Sequence, residues 1–131
     1  MFDHLYPHHC FIPCASQTVV VMHPAVSVFV TRGGTGSFYE GLYANKRLAV
    51  FPFFGDQFPN AYNVEHKGIG VYLNYELNQE QMNEKITLDC RDSDENYQKN
   101  VNRYKALIQV HSQDDCIRAA DLVEEVSFVN K

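Results

Sequence analysis

The run Gly33-Gly34-Thr35-Gly36, with Ser37 next and Glu40 one helical turn further on, is the stretch best suited to chemistry. Clustered glycines let backbone amides crowd an anion, and the dipole of a following helix favours negative charge at the same place. Arg32, directly before the turn, adds a permanent cation with five donors in a rigid fork that suits phosphate. Glu40 shares a helix face with Ser37, where a first-turn carboxylate is also stabilised by the dipole alone. Asp56-Gln57 opens a later helical stretch, and Asp56 fits there as an N-cap. Gln17 offers an amide able to donate and accept, or simply to face solvent. Glycine is also needed in βα turns for geometry alone. The turn is not the dinucleotide pattern G-x-G-x-x-G, because Tyr39 stands where a glycine is due, and it lacks the Gly-Lys-Ser/Thr ending of a P-loop.

Positioning these groups requires strands and helices in alternation. Val26 to Thr31 is an apolar, β-branched run that predicts a buried parallel strand. Ser37 to Ala44 reads as a helix, Leu48 to Phe51 as a strand, Asp56 to His66 as a helix and Ile69 to Leu73 as a strand. Gln17 to Met22 reads as a short helix leading to His23-Pro24, where the residue before proline is pushed out of helical geometry. Beyond Leu73 the chain turns helical, with Asn78 as a cap and Met82 and Ile86 as apolar positions. Tyr97, Val101, Tyr104 and Ile108 recur at helical spacing, as do Ala119, Leu122 or Val123, and Val126. Asp89 to Glu95 reads as a solvated acidic turn. The fold class expected is α/β: a short parallel sheet over 26–31, 48–51 and 69–73 in three layers, with C-terminal helices.

Several of these residues, in register, resemble the donor-sugar signature of the UDP-glycosyltransferases of the two-domain Rossmann-like (GT-B) type. The matching positions are Phe29-Val30-Thr31-Arg32-Gly33-Gly34, Ser37, Glu40, Pro52 and Asp56-Gln57, with Gln17 and His23-Pro24 upstream. Asn60-Ala61 and Lys67-Gly68-Ile69-Gly70 extend the match downstream. The likeness is good from Gln17 to Leu73 and fainter out to Val126. It implies a partial Rossmann-like domain over 17–131, the C-terminal, nucleotide-sugar-binding part of such an enzyme, with 1–16 unassigned.

By that resemblance Gln17 reaches the nucleotide, and Glu40 accepts both ribose hydroxyls. Arg32 with Gly33, Gly34, Gly36 and Ser37 holds the diphosphate, and Asp56 and Gln57 hold the sugar hydroxyls. Three departures stand out. Arg32 occupies the place of a histidine, and Arg47 that of a proline. The chain also has no tryptophan where the family stacks one on uracil, so Cys14 falls at that position and only Phe11 stands nearby.

Composition narrows the classes further. At 131 residues one domain is expected, large enough to bury roughly two-thirds of its unfolded surface. A hydrophobic content of 45% suits an ordinary globular domain, and a net charge of -5 argues against a nucleic-acid partner. No window approaches a membrane span. The segment MFDHLYPHHC does not read as a secretory signal, and four cysteines are too few for a disulfide scaffold. A cytoplasmic protein with reduced thiols is expected. His4, His8, His9, Cys10 and Cys14 invite a zinc reading, but their spacing fits no standard zinc pattern, and an unstructured or surface tract accounts for them better.

The functional expectation is the donor-binding part of a UDP-glycosyltransferase, using a UDP-sugar as substrate with no cofactor and no metal. Hexosyl transfer needs an acceptor-binding half, which in the family also carries the catalytic base. No catalytic residue is therefore assigned within this chain, and a separate acceptor-binding subunit is one way to complete it. A non-catalytic module that binds a nucleotide or a partner is the alternative.

Overall fold

The computed structural model describes Cys10 and residues 12–129. Three parallel strands, β1 (Val28–Thr31), β2 (Arg47–Val50) and β3 (Gly70–Tyr72), form one sheet in the order β1-β2-β3. Phe29 pairs with Leu48, and Leu48 with Gly70. Helix α1 (Gln17–Met22) precedes the sheet, while α2 (Thr35–Tyr43) and α3 (Gln57–His66) supply the two crossovers. Helices α4 (Gln79–Arg91), α5 (Asn96–Ser112) and α6 (Asp115–Val129) follow. The α/β class and the short parallel sheet are as expected, with β1 and β3 each two residues shorter than the apolar runs that announce them and β2 shifted by one residue toward the N-terminus.

Alternation along β2 builds the layers. All four residues of this central strand are buried, as a strand covered on both faces requires. Leu48 and Val50 point to one side, into a cluster with Leu42 of α2, Ala61 and Val64 of α3, Val101 of α5, and Ile69 just before β3. Ala49 points to the other, against Val71 and Leu73, with Met82 and Ile86 of α4 packed over them. Successive side chains of a strand face opposite ways, so one strand organises both cores. The helical spacing of Tyr97, Val101, Tyr104 and Ile108 is realised in α5: the last three join the first cluster and Tyr97 the second. Gly70 is glycine for contact reasons, because a Cβ there would overlap the backbone of Leu48 on the neighbouring strand.

Local signals set the helix ends. Asn78 closes a capping box: its Oδ1 accepts from Gln81 N at 2.9 Å and Gln81 Oε1 accepts from Asn78 N at 3.0 Å. His23 ends α1 as a turn residue, its Nδ1 accepting from Ala25 N and its carbonyl from the buried Lys46 Nζ. The reading of Asp89 to Glu95 as a solvated turn is corrected. Helix α4 runs on to Arg91, and Asp89, in its last turn, is fully buried. The apolar residues of α6, Leu122, Val123 and Val126 among them, form the helix their spacing predicts and remain exposed.

Candidate functional site

The site lies at the C-terminal end of β1, where the chain leaves the sheet. Thr31 Oγ1 accepts from Gly33 N at 3.2 Å, and the Gly33 carbonyl accepts from Asn60 Nδ2 of α3 at 2.8 Å. Gly33 adopts φ +85°, and a Cβ there would collide with Val50 Cγ1. The turn is therefore fixed from both sides. Gly34 is the N-cap of α2, which begins at Thr35, two residues before the start expected from sequence. That shift makes Gly36 and Ser37 the second and third helical residues, whose N–H groups have no intrahelical partner and point outward. The Thr35 N–H is already engaged by Asp56 Oδ2 at 3.2 Å.

An open cleft of about 440 Å³ lies in front of this turn, lined by Gln17, Arg32, Gly34, Ser37 and Gln57 and walled by aromatic and β1 residues. Phe29, Phe51 and Phe53 form the aromatic wall, and Phe51, Phe53 and Tyr75 pack edge to face with centroids 4.8–5.9 Å apart. This wall was not anticipated, although phenylalanines on both sides of Pro52 were a visible signal. Arg32 is exposed and, among the described residues, pairs with no carboxylate, so its guanidinium is free for an anion.

The residues singled out around the turn have definite places. Gln17 Nε2 donates to Ser37 Oγ at 3.1 Å and to Glu40 Oε2 at 2.6 Å, and Thr18 Oγ1 donates to Glu40 Oε1 at 3.1 Å. Gln17, Ser37 and Glu40 thus come together, with α1 strapped across α2. Glu40 itself lines a separate apolar hollow of about 260 Å³, together with Gly36, Val21, Met22 and Tyr39. Gln57 is buried, and its Oε1 accepts from Phe53 N at 2.8 Å and Phe54 N at 3.3 Å. With the oxygen so used, its amide NH₂ is the end left to donate.

Asp56 departs only in part from its sequence reading as an N-cap. It occupies the N-cap position of α3 but makes no side-chain cap bond. Pro59, at the third helical position, removes one of the two N–H groups a cap can bond, and Asp56 has the helical φ of -64° and ψ of -14° where a capping residue is usually extended. The carboxylate turns instead to Thr35, accepting from its hydroxyl at 2.8 Å as well as from its N–H. Those bonds hold the exposed Asp56 carboxyl below its ordinary value, the Thr35 hydroxyl first and the Thr35 N–H next. Asp56 does not itself line the cleft; it directly precedes the lining residue Gln57.

Among the described residues no group of three or more His, Cys, Asp or Glu could hold a metal, and no helix is long and apolar enough to cross a membrane. His4, His8, His9 and Phe11 lie outside the described residues.

Comparison with known proteins bears directly on this geometry. The family model described as "UDP-glucoronosyl and UDP-glucosyl transferase" matches residues 3–126. A UDP-glucuronosyltransferase 1A6 of Oryctolagus cuniculus is 33% identical over 92 residues, 70% of this chain and 17% of that protein. A solved glycotransferase of kitacinnamycin superposes with a TM-score of 0.70 at 26% identity, covering 88% of this chain and 28% of the other. Os79 from O. sativa, solved in complex with UDP, superposes with a TM-score of 0.62 at 27% identity, covering 68% of this chain and 21% of the other. The chain spans about a sixth of the length of the rabbit relative and under a third of either solved chain.

Proposed function

Because the chain belongs to the UDP-glucuronosyl and UDP-glucosyl transferase family, we propose that it binds the donor, a UDP-sugar, in the cleft at the end of β1. The observation that carries this reading is the convergence of a free guanidinium, Ser37 in the first turn of α2 and two side-chain amides on one aromatic-walled cleft. The Gly36 and Ser37 amides and Arg32 bind the diphosphate, where helix dipole and fixed charge act together. Gln17, on the α1 side of the cleft, reaches the nucleotide, and Glu40, held by Gln17 and Thr18 beside the neighbouring hollow, reaches the ribose. The Gln57 amide donates to a hexose hydroxyl, and Asp56 accepts from its neighbours. The Os79 structure with UDP is consistent with a nucleotide here.

Transfer of the hexosyl group requires a part that binds the acceptor and removes its proton. Among the described residues no histidine or carboxylate lines the cleft, and general-base help is worth about 10²–10⁴-fold. The reading therefore has this chain act in transfer only when completed, by a longer polypeptide or by an acceptor-binding subunit. A cytoplasmic location belongs to the same proposal, supported by four unpaired cysteines.

Isothermal titration of the purified chain tests the donor-binding step. UDP-glucose is expected to bind saturably, and Arg32→Ala to weaken it by about 1.5–3 kcal/mol, the worth of a hydrogen bond to a charged group. Absence of saturable heat, or an unchanged affinity in the variant, would count against this assignment.

A further inference from the structure

We propose that Thr35 is the positioning residue for the Asp56 carboxylate, clamping Oδ2 with its hydroxyl and its backbone N–H so that Oδ1 is left to accept from the hexose. The inference rests on the donor-binding reading above and adds to it a residue that sets sugar recognition. Asp56 is exposed at the first position before α3, a place where a carboxylate ordinarily caps the helix or moves among rotamers in water. Neither holds here, since Pro59 removes one cap donor and the cap bond is absent. Two donors from one residue, 21 positions away in sequence, fix the carboxylate instead, at 2.8 and 3.2 Å.

Both bonds from Thr35 fall on a single oxygen. An ionised carboxylate has about four lone-pair sites, so one oxygen can be held while the other receives a ligand. The flanking geometry is fixed as well. Asp56 is followed directly by Gln57, whose amide is oriented by Phe53 and Phe54, and Thr35 is preceded directly by Gly34 of the cleft lining. An acceptor oxygen beside an oriented donor suits vicinal hydroxyls, each of which can donate to one and accept from the other. The bonds also keep Asp56 ionised below the ordinary carboxylate range, so it remains an acceptor throughout neutral and mildly acidic pH. Holding the group before the ligand arrives removes an ordering cost from binding.

The test combines a carboxyl-carbon NMR titration of Asp56 with calorimetric binding of UDP-glucose and of UDP alone, in the full chain and in Thr35→Val and Thr35→Ser. In Thr35→Val the Asp56 pKa rises toward 3.8, and the preference for UDP-glucose over UDP falls about tenfold, the worth of a lost hydrogen bond to a charged group. Thr35→Ser keeps the hydroxyl and restores both, which separates the clamp from any general loss of fold. An unmoved Asp56 pKa overturns the clamp. A raised pKa with an unchanged preference overturns its role in sugar recognition. Failure of the unaltered chain to bind either UDP or UDP-glucose overturns the donor-binding reading itself, and with it this role.

Discussion

Gly33 carries two demands that no other residue meets together. Its φ of +85° is costly for a side chain with a Cβ, and the space a Cβ would enter is already filled by Val50. Gly33→Ala is expected to destabilise the fold by roughly 1–3 kcal/mol, combining backbone strain with overpacking, as read by chemical denaturation. Gly34→Ala, where a Cβ would meet open space, serves as the comparison. Equal stabilities for the two variants would contradict this account of the turn. At this scale the sequence located the glycine turn ahead of α2 but did not disclose the neighbours of Asp56. The cap reading there considered position alone, whereas Pro59 had already removed a donor and Thr35 supplied two. The partnership of Gln17 with Glu40 was equally hidden, because it depends on how α1 crosses α2 rather than on spacing along either helix.

Between elements, the least expected feature is the charge buried where α4 meets the sheet. Asp89 is fully buried and neither of its oxygens has a hydrogen-bond partner among the described residues. Nearby, Arg47 of β2 reaches Asp92 at 3.5 Å and the Cys90 carbonyl at 3.3 Å, tying the end of α4 to the central strand. Burial pushes the Asp89 carboxyl up to about 7 and Asp92 adds to the rise, while Arg47 opposes it. Its value in the folded chain thus lies above the 3.8 of an ordinary aspartate, so the native state holds the proton more tightly than the unfolded one. Stability then falls as pH rises from about 4 and levels off above about 7. Asp89→Asn is expected to flatten this dependence and to be the more stable protein at pH 8, by roughly 1–3 kcal/mol. Melting curves of the two proteins from pH 5 to 8 check it, and parallel slopes would contradict it. The sequence marked the Asn78 cap and the Met82 and Ile86 face of α4 because both are local patterns. It could not mark Asp89, since an acidic run looks solvated until a strand and an arginine are folded over it.

For the molecule as a whole, sequential strand order with a helix in each crossover places the C-terminal ends of β1 and β2 beside one another. The loops leaving them, 32–34 and 51–56, therefore meet at one edge. This is the edge at which parallel α/β sheets bind ligands, and it explains why residues far apart in sequence line one cleft. Alternating apolar runs made this architecture legible, with boundaries shifted because strands end where pairing ends rather than where apolar residues do. What spacing did not disclose was the aromatic wall, which needs Tyr75, from beyond β3, folded against Phe51 and Phe53. The central claim is that this edge receives a UDP-sugar. Backbone amide NMR during titration with UDP-glucose tests it most directly. The account predicts that the largest shifts fall on Gly34, Gly36, Ser37 and Gln57, with α4 and α6 scarcely moved. Shifts confined to α4, α5 or α6, with the turn after β1 unmoved at saturation, would contradict it.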